Sequence, residues 1–352
     1  MSKWIITGIS GCGRIEFLDE LKKHCEQYRK RVNVYDVGKM IHNECLRLKI
    51  PFKDDRILDI DKTTLKVVRV SVLKDVEIEI LKNQDVDLHL IGSHATFRWK
   101  QRILPGISYQ DLIRINPDGF INIVDNVEEI EKTNKKNPKW DEFSLSNLEE
   151  TQEWMMEEEF ITEVLSDVLN KPMYIVARDH TIENFSDLLL STKKKIYLSY
   201  PITAVQEENP EMLKKVQGTI LKELEELFVV FDPLSVKDMS LAEKKLDIII
   251  GENIENGISL KAKEIIKKRT IERDFQFIDQ SDAVVVLYLT DKLSPGVLAE
   301  IYYAHRNQKP VFMVFPGKKS PFIEDATTFI EETFEELIPK LKEFADSKIT
   351  CT

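Results

Sequence analysis

The chain has 352 residues, of which 42% are hydrophobic and 32% are charged, with only 12 Gly and 13 Pro. This composition excludes a disordered, collagen-like or low-complexity protein, and at about 150 residues per domain the length predicts two domains. The formal net charge of −11 argues against a dedicated binder of nucleic-acid polymers or anionic membranes, but it leaves room for local basic pockets that hold small phosphates.

The four cysteines (Cys12, Cys25, Cys45 and Cys351) show no CxxC or Cys/His metal spacing. The N-terminus enters a predicted strand without the regions of a signal peptide. Together these features predict free thiols in a reducing cytoplasm. The longest apolar runs, such as 284–289, are far shorter than a membrane span. We therefore expect a cytoplasmic protein.

In the first half of the chain, short apolar segments alternate with charged helices. Strands are predicted at 4–7, 32–35, 88–91, 119–124 and 174–177, with helices that include 14–29 and 148–170 between them. Near-continuous apolar strands separated by helices predict a parallel sheet covered on both faces. The Glu-rich stretch 149–159 is interpreted as a solvent-facing helix surface.

After the polar segment 191–195 the same pattern starts again. Strands are predicted at 196–199, 228–231, 283–289 and 311–315, and helices at 210–227, 260–281, 297–307 and the C-terminus. The sequence therefore predicts an α/β protein with two doubly wound parallel-sheet domains, 1–191 and 194–352. The boundary is expected near residues 190–195.

A glycine-rich loop joins the first predicted strand to the first helix, reading Gly8-Ile-Ser-Gly11-Cys-Gly13-Arg14-Ile15. Its spacing is that of G-x-x-x-x-G-K-[ST], in which backbone N–H groups and the helix N-terminus hold phosphate. Gly8, Gly11, Gly13 and Arg14 are therefore candidate nucleotide-binding residues. Arg14 replaces the lysine and can pair with phosphate as a fork. Ile15 replaces the hydroxyl residue and cannot bind a metal.

Three further motifs follow in order: Gly92-Ser-His94-Ala-Thr96, Leu104-Pro-Gly106 and Asn116-Pro-Asp118. With the loop, they make residues 1–190 resemble the archaeal-type adenylate kinases and related P-loop nucleoside monophosphate kinases. The resemblance implies phosphoryl transfer with ATP and Mg²⁺.

This half departs from the kinase pattern at the positions that carry the chemistry. Ser93 replaces the family's acidic residue, and the chain has no arginine between Ile115 and Val176, where these kinases carry lid arginines. We therefore interpret the half as a degenerate nucleotide- or phosphate-binding domain or a structural remnant. An active kinase is the alternative. His94 is interpreted as a structural turn residue.

The second half carries different motifs: Lys195-Ile-Tyr197-Leu-Ser199, the segment from Asp274 to Asp282, and Ser294-Pro-Gly296-Val-Leu-Ala-Glu300. On these residues it resembles the nucleoside 2-deoxyribosyltransferase superfamily, which includes 2′-deoxynucleoside 5′-monophosphate N-glycosidases. The resemblance implies a Rossmann-like fold, cleavage of an N-glycosidic bond, and a homo-oligomer that completes its pocket with a neighbouring subunit.

By this resemblance Glu300 is the catalytic nucleophile. Asp274 protonates the leaving base or orients the sugar, and Tyr197 orients Glu300 or the sugar. A carboxylate beneath the anomeric carbon suits the reaction, because that carbon gains oxocarbenium character as the bond breaks. Asp282 is interpreted as a turn or cap residue outside the site.

Ser294 stands where the transferases of the family tend to carry Asp and the monophosphate N-glycosidases carry Ser. Its hydroxyl and the helix N-terminal N–H groups of Gly296 and Val297 suit a 5′-phosphate, which an aspartate would repel. Ser199 is a further substrate-binding candidate, although the loop at 199–203 lacks the Gly- and Arg-containing form of the N-glycosidases. Lys318, Lys319 and Ser320 are expected to reach a phosphate of this subunit or a neighbouring one.

The predicted function is hydrolysis of the N-glycosidic bond of a nucleoside 5′-monophosphate or related nucleotide. This step needs no metal or cofactor, whereas ATP and Mg²⁺ enter if the first half is active. A nucleoside deoxyribosyltransferase and an NAD glycohydrolase are variants. An adenylate-type kinase and a non-catalytic nucleotide sensor are the alternatives. The expected partners are a small nucleotide and other copies of the chain, with no nucleic-acid polymer and no membrane.

Overall fold

The computed structural model describes residues 1–53, 56–99, 102–137, 147–238, 260–290 and 292–347. The chain divides into two compact units. The first comprises Met1–Ile182 and Val236–Lys268, and the second comprises Glu183–Ser235 and Arg269–Thr352. Each unit is built on a five-stranded parallel sheet, so the predicted α/β class with two parallel sheets is confirmed.

The sheet of the first unit has the order β2-β3-β1-β6-β7, with β1 at its centre. Its strands are β1 Ser2–Thr7, β2 Val32–Asp36, β3 Leu88–Gly92, β6 Gly119–Val124 and β7 Met173–Ala177. A separate antiparallel hairpin joins β4 Thr96–Trp99 to β5 Arg102–Pro105. The apolar side chains of β1, β3 and β6 are buried, as expected for strands covered on both faces.

The helices of this unit are α1 Arg14–Gln27, α2 Val37–Arg47, α3 Lys62–Lys82, α4 Tyr109–Ile115, α5 Val127–Lys136 and α6 Leu148–Leu169. Polar side chains define several of their starts. Asp36 caps α2, Asp61 caps α3, and Ser108 and Asn147 form capping boxes at α4 and α6. These caps satisfy N–H groups that a helix start leaves without a partner.

The sheet of the second unit has the order β12-β11-β10-β8-β9. Its strands are β8 Lys195–Ser199, β9 Val229–Phe231, β10 Ala283–Leu287, β11 Val311–Val314 and β12 Phe329–Glu331. The chain runs from β8 outward to β9 and then returns to β10 on the other side of β8. Such a reversal opens a crevice at the carboxyl ends of the two central strands, where open α/β sheets bind ligands.

The helices of the second half are α7 Ile182–Leu190, α8 Ile202–Glu208, α9 Pro210–Lys215, α10 Leu221–Leu227, α11 Leu260–Asp279, α12 Pro295–Arg306, α13 Pro321–Ala326 and α14 Phe334–Asp346. A π-helical turn, Val216–Ile220, joins α9 to α10, so the helix predicted at 210–227 is continuous but not uniformly α-helical. None of the described helices has both the length and the apolar character that a membrane crossing requires.

The division into units falls differently from the predicted boundary near 190–195. Residues from Glu183 onward, and so nearly all of α7, group with the second unit, whereas Val236–Lys268 groups with the first. The cores are correspondingly separate. Buried side chains of β8, β9, β10, β11, α10 and α14 form one cluster, and those of β1, β3, α2, α3 and α4 form another.

One prediction about the surface is wrong. The Glu-rich stretch 149–159 was expected to face solvent, yet Glu158 and Glu159 on α6 are buried. The carboxylate of Glu158 accepts hydrogen bonds from the backbone N–H groups of Gly8, Ala95 and Thr96. A buried carboxylate is tolerated there because these donors replace the water that it loses.

Candidate functional site

In the second unit, two hydroxyl groups on one strand hold a carboxylate on the helix opposite. The hydroxyl of Tyr197 donates to Oε1 of Glu300 at 3.0 Å, and the hydroxyl of Ser199 donates to Oε2. Tyr197 and Ser199 are two residues apart on β8 and therefore project from the same face of the sheet. Glu300 lies on the second turn of α12, which follows the neighbouring strand β10. Both oxygens of the carboxylate are thus fixed.

Asp274 supplies a second carboxylate from α11. Its Oδ1 is buried and has no hydrogen-bond partner among the described residues, and Nε of Arg273 lies 3.9 Å away. Burial raises the pKa of Asp274 to about 6, opposed by the charge of Arg273 and reinforced by that of Asp232. A buried acceptor without a partner is available to a ligand that can donate a hydrogen bond.

Glu300 also binds its proton more tightly than an ordinary glutamate. Burial raises its pKa to about 8, and the charge of Asp274 adds to the shift, while the hydrogen bonds from Ser199 and Tyr197 oppose it. The same environment raises the pKa of Tyr197 well above its usual value, so this hydroxyl stays a donor.

Asp232 is a third carboxylate of this unit, and it is not among the site residues predicted from the sequence. Asp232 follows β9 directly and is buried. It accepts hydrogen bonds from the hydroxyl of Tyr200 and from the backbone N–H of Leu234, both at 2.9 Å. Its position at the carboxyl end of a strand that pairs with β8 is the signal that could have identified it.

The candidate phosphate-binding residues lie at the start of α12. The side chain of Ser294 makes no capping hydrogen bond, and its backbone N–H donates to the hydroxyl of Tyr288 at 2.7 Å. A Cβ atom added to Gly296 would meet nothing within 4 Å, so the space in front of this residue is open. Val297, in contrast, turns its side chain into the core. The open turn at Gly296 leaves room for an anion.

Lys318 and Ser320 lie in a different part of the second unit. They line a cavity of about 540 Å³ whose other walls include Tyr288, Tyr302 and Phe315, and whose lining does not include Tyr197, Asp274 or Glu300. The ammonium group of Lys319 donates to the carbonyl oxygen of Ile330 at 3.4 Å. That these residues reach a phosphate of this subunit or a neighbouring one stays a prediction.

The first unit contains a larger cavity, of about 1060 Å³, beside the glycine-rich loop. Gly8, Gly11 and Gly13 all have positive φ angles, of 142°, 89° and 67°, which only glycine adopts without strain. Gly11 packs so closely that an added Cβ would lie 2.8 Å from the side-chain oxygen of Asn134 on α5. The loop is therefore fixed in shape before any ligand arrives.

Two guanidinium groups flank this loop. Arg14 is only 8% exposed; Nη1 donates to the carbonyl oxygen of Gly8, and Nε has no partner among the described residues. Arg178 lies against Gly13, pairs with Glu20 at 2.9 Å, and places its guanidinium group 4.7 Å from the centre of the Phe17 ring. Arg178 is not among the nucleotide-binding residues predicted from the sequence, although its place directly after β7 is visible there.

His94 forms part of the cavity wall. Its ring stacks on Trp154, and Nδ1 lies 3.8 Å from the carboxylate of Glu158. Burial lowers the pKa of His94 well below its usual value, so the ring is neutral. Asp125, which also lines the cavity, has a pKa raised to about 6, chiefly by burial.

The positions that the kinase resemblance assigns to Mg²⁺ do not fit a metal ion. The side chain of Ile15 has no donor atom and packs against Gly92, and the hydroxyl of Ser93 donates to the carbonyl oxygen of His94. Across the described residues, no group of three or more His, Cys, Asp or Glu side chains is arranged to hold a metal. We therefore derive no step through a metal in this unit.

The comparison with protein-family models found no match for the chain, and the comparison with curated proteins found none either. One similar solved structure is a conserved protein from Enterococcus faecalis V583, with 13% identity and a TM-score of 0.29, covering 43% of this chain and 98% of that one. Another is a gluconokinase from Sinorhizobium meliloti 1021, with 12% identity and a TM-score of 0.29, covering 54% and 89%. Scores this low support no conclusion about fold or activity.

Proposed function

We propose that the second unit hydrolyses the N-glycosidic bond of a nucleotide. The observation that carries the proposal is the fixed carboxylate of Glu300, which two hydroxyl groups hold beside the crevice, with the unpartnered carboxyl oxygen of Asp274 in the same unit. Enzymes that break glycosidic bonds commonly use two carboxyl groups, one as the nucleophile and one as the general acid.

The reaction divides into two steps. The first step starts from the minor form in which Asp274 carries the proton and Glu300 is charged, because the pKa of Glu300 is the higher of the two. The carboxylate of Glu300 attacks C1′ while Asp274 donates its proton to the leaving base, so that the C1′–N bond breaks and a glycosyl ester forms. In the second, Asp274 removes a proton from water, which attacks C1′ and releases Glu300 and the free sugar phosphate. Tyr197 and Ser199 hold Glu300 in line, and a base in place of water would make the reaction a transfer.

The substrate class that we propose is a nucleoside 5′-monophosphate, with the 2′-deoxy form as the first to test. The open turn at Gly296 and the uncapped hydroxyl of Ser294 support a phosphate at the N-terminus of α12, where the helix dipole favours an anion. The nicotinamide ribosyl bond of NAD is a related substrate that the same assay covers.

The test is release of free base from deoxynucleoside monophosphates, nucleosides and NAD by the full chain, measured by chromatography. Glu300→Ala should abolish release, whereas Arg14→Ala, in the first unit, should leave it unchanged. Ser294→Asp should reduce kcat/KM for the monophosphate at least tenfold and spare the nucleoside, because the added carboxylate repels the phosphate. Base release that persists in Glu300→Ala would refute the assignment.

For the first unit we propose binding of a nucleotide phosphate without phosphoryl transfer. The observation that favours this function is the pair Arg14 and Arg178 beside a preformed glycine loop in a cavity of about 1060 Å³. Guanidinium groups and loop N–H groups together supply the charge and hydrogen bonds that a phosphate needs.

Two measurements distinguish nucleotide binding from phosphoryl transfer. Calorimetric titration with AMP, ADP and ATP in the presence of EDTA should detect binding that Arg14→Ala weakens at least tenfold. Formation of ADP from ATP and AMP with Mg²⁺, lost in Arg14→Ala, would instead establish the kinase alternative.

A further inference from the structure

The cavity of about 540 Å³ in the second unit is not used by the proposed reaction. Its wall includes Leu298 and Tyr302, which are one turn apart on α12 and therefore lie on the same face of that helix. Glu300 stands midway between them in sequence, at about 200° around the helix axis from each, and so faces another direction. The cavity is therefore separate from the group formed by Tyr197, Ser199 and Glu300.

Two aromatic rings at the ends of paired strands form one wall of this cavity. Tyr288 follows β10 and Phe315 follows β11, and their rings meet edge to face with their centres 5.5 Å apart. The hydroxyl of Tyr288 accepts the backbone N–H of Ser294 at 2.7 Å and donates to the carbonyl oxygen of Lys292 at 3.1 Å. Gly317 packs on the Phe315 ring, where an added Cβ would lie 2.8 Å away. Both rings are therefore fixed before any ligand arrives.

Large apolar side chains around this cavity are exposed to solvent. Phe322 is 75% exposed, Leu293 is 73% exposed and Tyr302 is 37% exposed. The hydroxyl of Tyr302 donates to the carbonyl oxygen of Phe322 at 3.2 Å, which joins α12 to the start of α13. A ligand that covered these side chains would remove apolar surface from water, which favours binding. A cavity of this size with aromatic walls is typical of small-molecule sites.

The polar groups of the lining indicate what kind of ligand fits. No acidic side chain is among the described lining residues, although the chain carries a net charge of −11. Lys318 lines the cavity, and its ammonium group has no ion pair or hydrogen bond in the described part of the chain. The hydroxyl groups are already engaged: Thr290 donates to Glu208, and Ser320 accepts the backbone N–H of Ile323. The lining therefore offers one positive charge and few free hydrogen-bonding groups.

We propose that this cavity binds an aromatic carboxylic acid of one or two fused rings. The ring packs against the side chains of Tyr288, Phe315 and Phe322, because flat rings gain most from contact with other aromatic rings. The carboxylate pairs with the ammonium group of Lys318. A ligand rich in hydroxyl groups, such as a nucleoside, is disfavoured because the hydroxyl groups of the lining already have partners. This binding does not depend on the proposed reaction.

The test is titration of the full chain with indole-3-carboxylate, followed by methyl NMR. The reporters are the methyl signals of Leu298 and Ile323, which line the cavity and are assigned with Leu298→Ile and Ile323→Val. Both signals should shift, with a Kd on the order of 1 mM or below. Indole-3-carboxamide, which lacks the charge, and cyclohexanecarboxylate, which lacks the aromatic ring, should each bind about fivefold more weakly.

Lys318→Met keeps the length of the side chain and removes its charge. It should weaken binding of indole-3-carboxylate about fivefold at low salt and leave binding of the carboxamide unchanged. Lys319→Met is the matched control, because this neighbour donates to the carbonyl oxygen of Ile330 and does not line the cavity. Phe322→Ala should weaken the acid and the amide alike, about fivefold. These side chains are exposed, so the variants should fold, which circular dichroism checks.

Four results would overturn the proposal. The first is the absence of any shift of the two methyl signals at about 10 mM acid. The second is an equal loss of affinity in Lys318→Met and Lys319→Met. The third is binding that Arg14→Ala abolishes, which would place the acid in the first unit. The fourth is displacement of the acid by AMP together with loss of AMP binding in Lys318→Met, which would make the cavity a nucleotide site.

Discussion

Burial of the Glu300 carboxyl group in the candidate active site lowers the stability of the folded protein. Its carboxyl group is kept from water, and the hydrogen bonds from Tyr197 and Ser199 only partly replace the lost hydration. The pKa, raised to about 8, means that the folded protein holds this proton far more tightly than the unfolded chain does. Stability should therefore be highest below the ordinary glutamate value and should fall as the pH rises toward 8.

The substitution Glu300→Gln tests this cost. The amide never ionises, so the variant should be more stable than the wild type at pH 9, by on the order of 3 kcal/mol, and similar to it at pH 5. Urea unfolding at the two pH values measures the difference. Equal stability of the two proteins at pH 9 would show that Glu300 ionises freely in the folded state.

The sequence predicted individual site residues where a motif specified both the residue type and the spacing between residues. Tyr197, Ser199 and Glu300 are brought together as one hydrogen-bonded group, although Ser199 holds Glu300 instead of facing an open substrate site. Asp232 and Arg178 were not identified, because one acidic or basic residue after a strand looks the same whether it faces solvent or a site. Their roles depend on packing between elements that are distant in sequence.

At the scale of elements, α6 connects two loops, one that follows β1 and one that follows β3. Its residue Glu158 receives the N–H groups of Gly8, Ala95 and Thr96, at 3.0, 2.8 and 2.7 Å. The glycine loop after β1 and the turn after β3 are thereby fixed to one carboxylate. The arrangement explains why a glutamate is buried on a helix whose other acidic residues suggested a solvent-facing surface.

Glu158→Ala should destabilise the protein by about 3 kcal/mol or more, because three buried N–H groups would lose their acceptor together. Glu157→Ala is the control on the same helix. It removes a partly exposed ion pair with Arg98 and should cost about 1 kcal/mol or less. Denaturant unfolding compares the two, and a similar small loss in both variants would contradict the central role of Glu158.

Strands were predicted correctly where the sequence has a clear run of hydrophobic residues. The strand expected at 119–124 has the same bounds as β6, because six buried residues in a row leave little ambiguity. The hairpin of β4 and β5 was not predicted, since its short strands carry Arg98 and Arg102 and lack a clear alternation. Strand β12 was missed for the same reason: three residues bounded by polar ones carry too little pattern.

Among the described residues, each unit has a large hydrophobic cluster of its own. We expect calorimetry to resolve two unfolding transitions, since multidomain chains rarely unfold in one step. Gly119→Ala, whose Cβ would lie 2.3 Å from the Trp4 ring, should lower the midpoint of one transition. Leu198→Ala, in the core of the second unit, should lower the other. A single transition that both variants shift equally would contradict this expectation.

The discontinuity of the second unit has a consequence for synthesis on the ribosome. Strands β8 and β9 precede the segment Val236–Lys268, which belongs to the first unit, whereas β10, the partner of β8 on its other edge, follows that segment. A nascent chain therefore carries β8 with one edge unpaired until the ribosome has passed Leu287. During that interval the apolar edge of β8 is open to pairing with other chains, and the rate of elongation between these strands sets the length of the exposure.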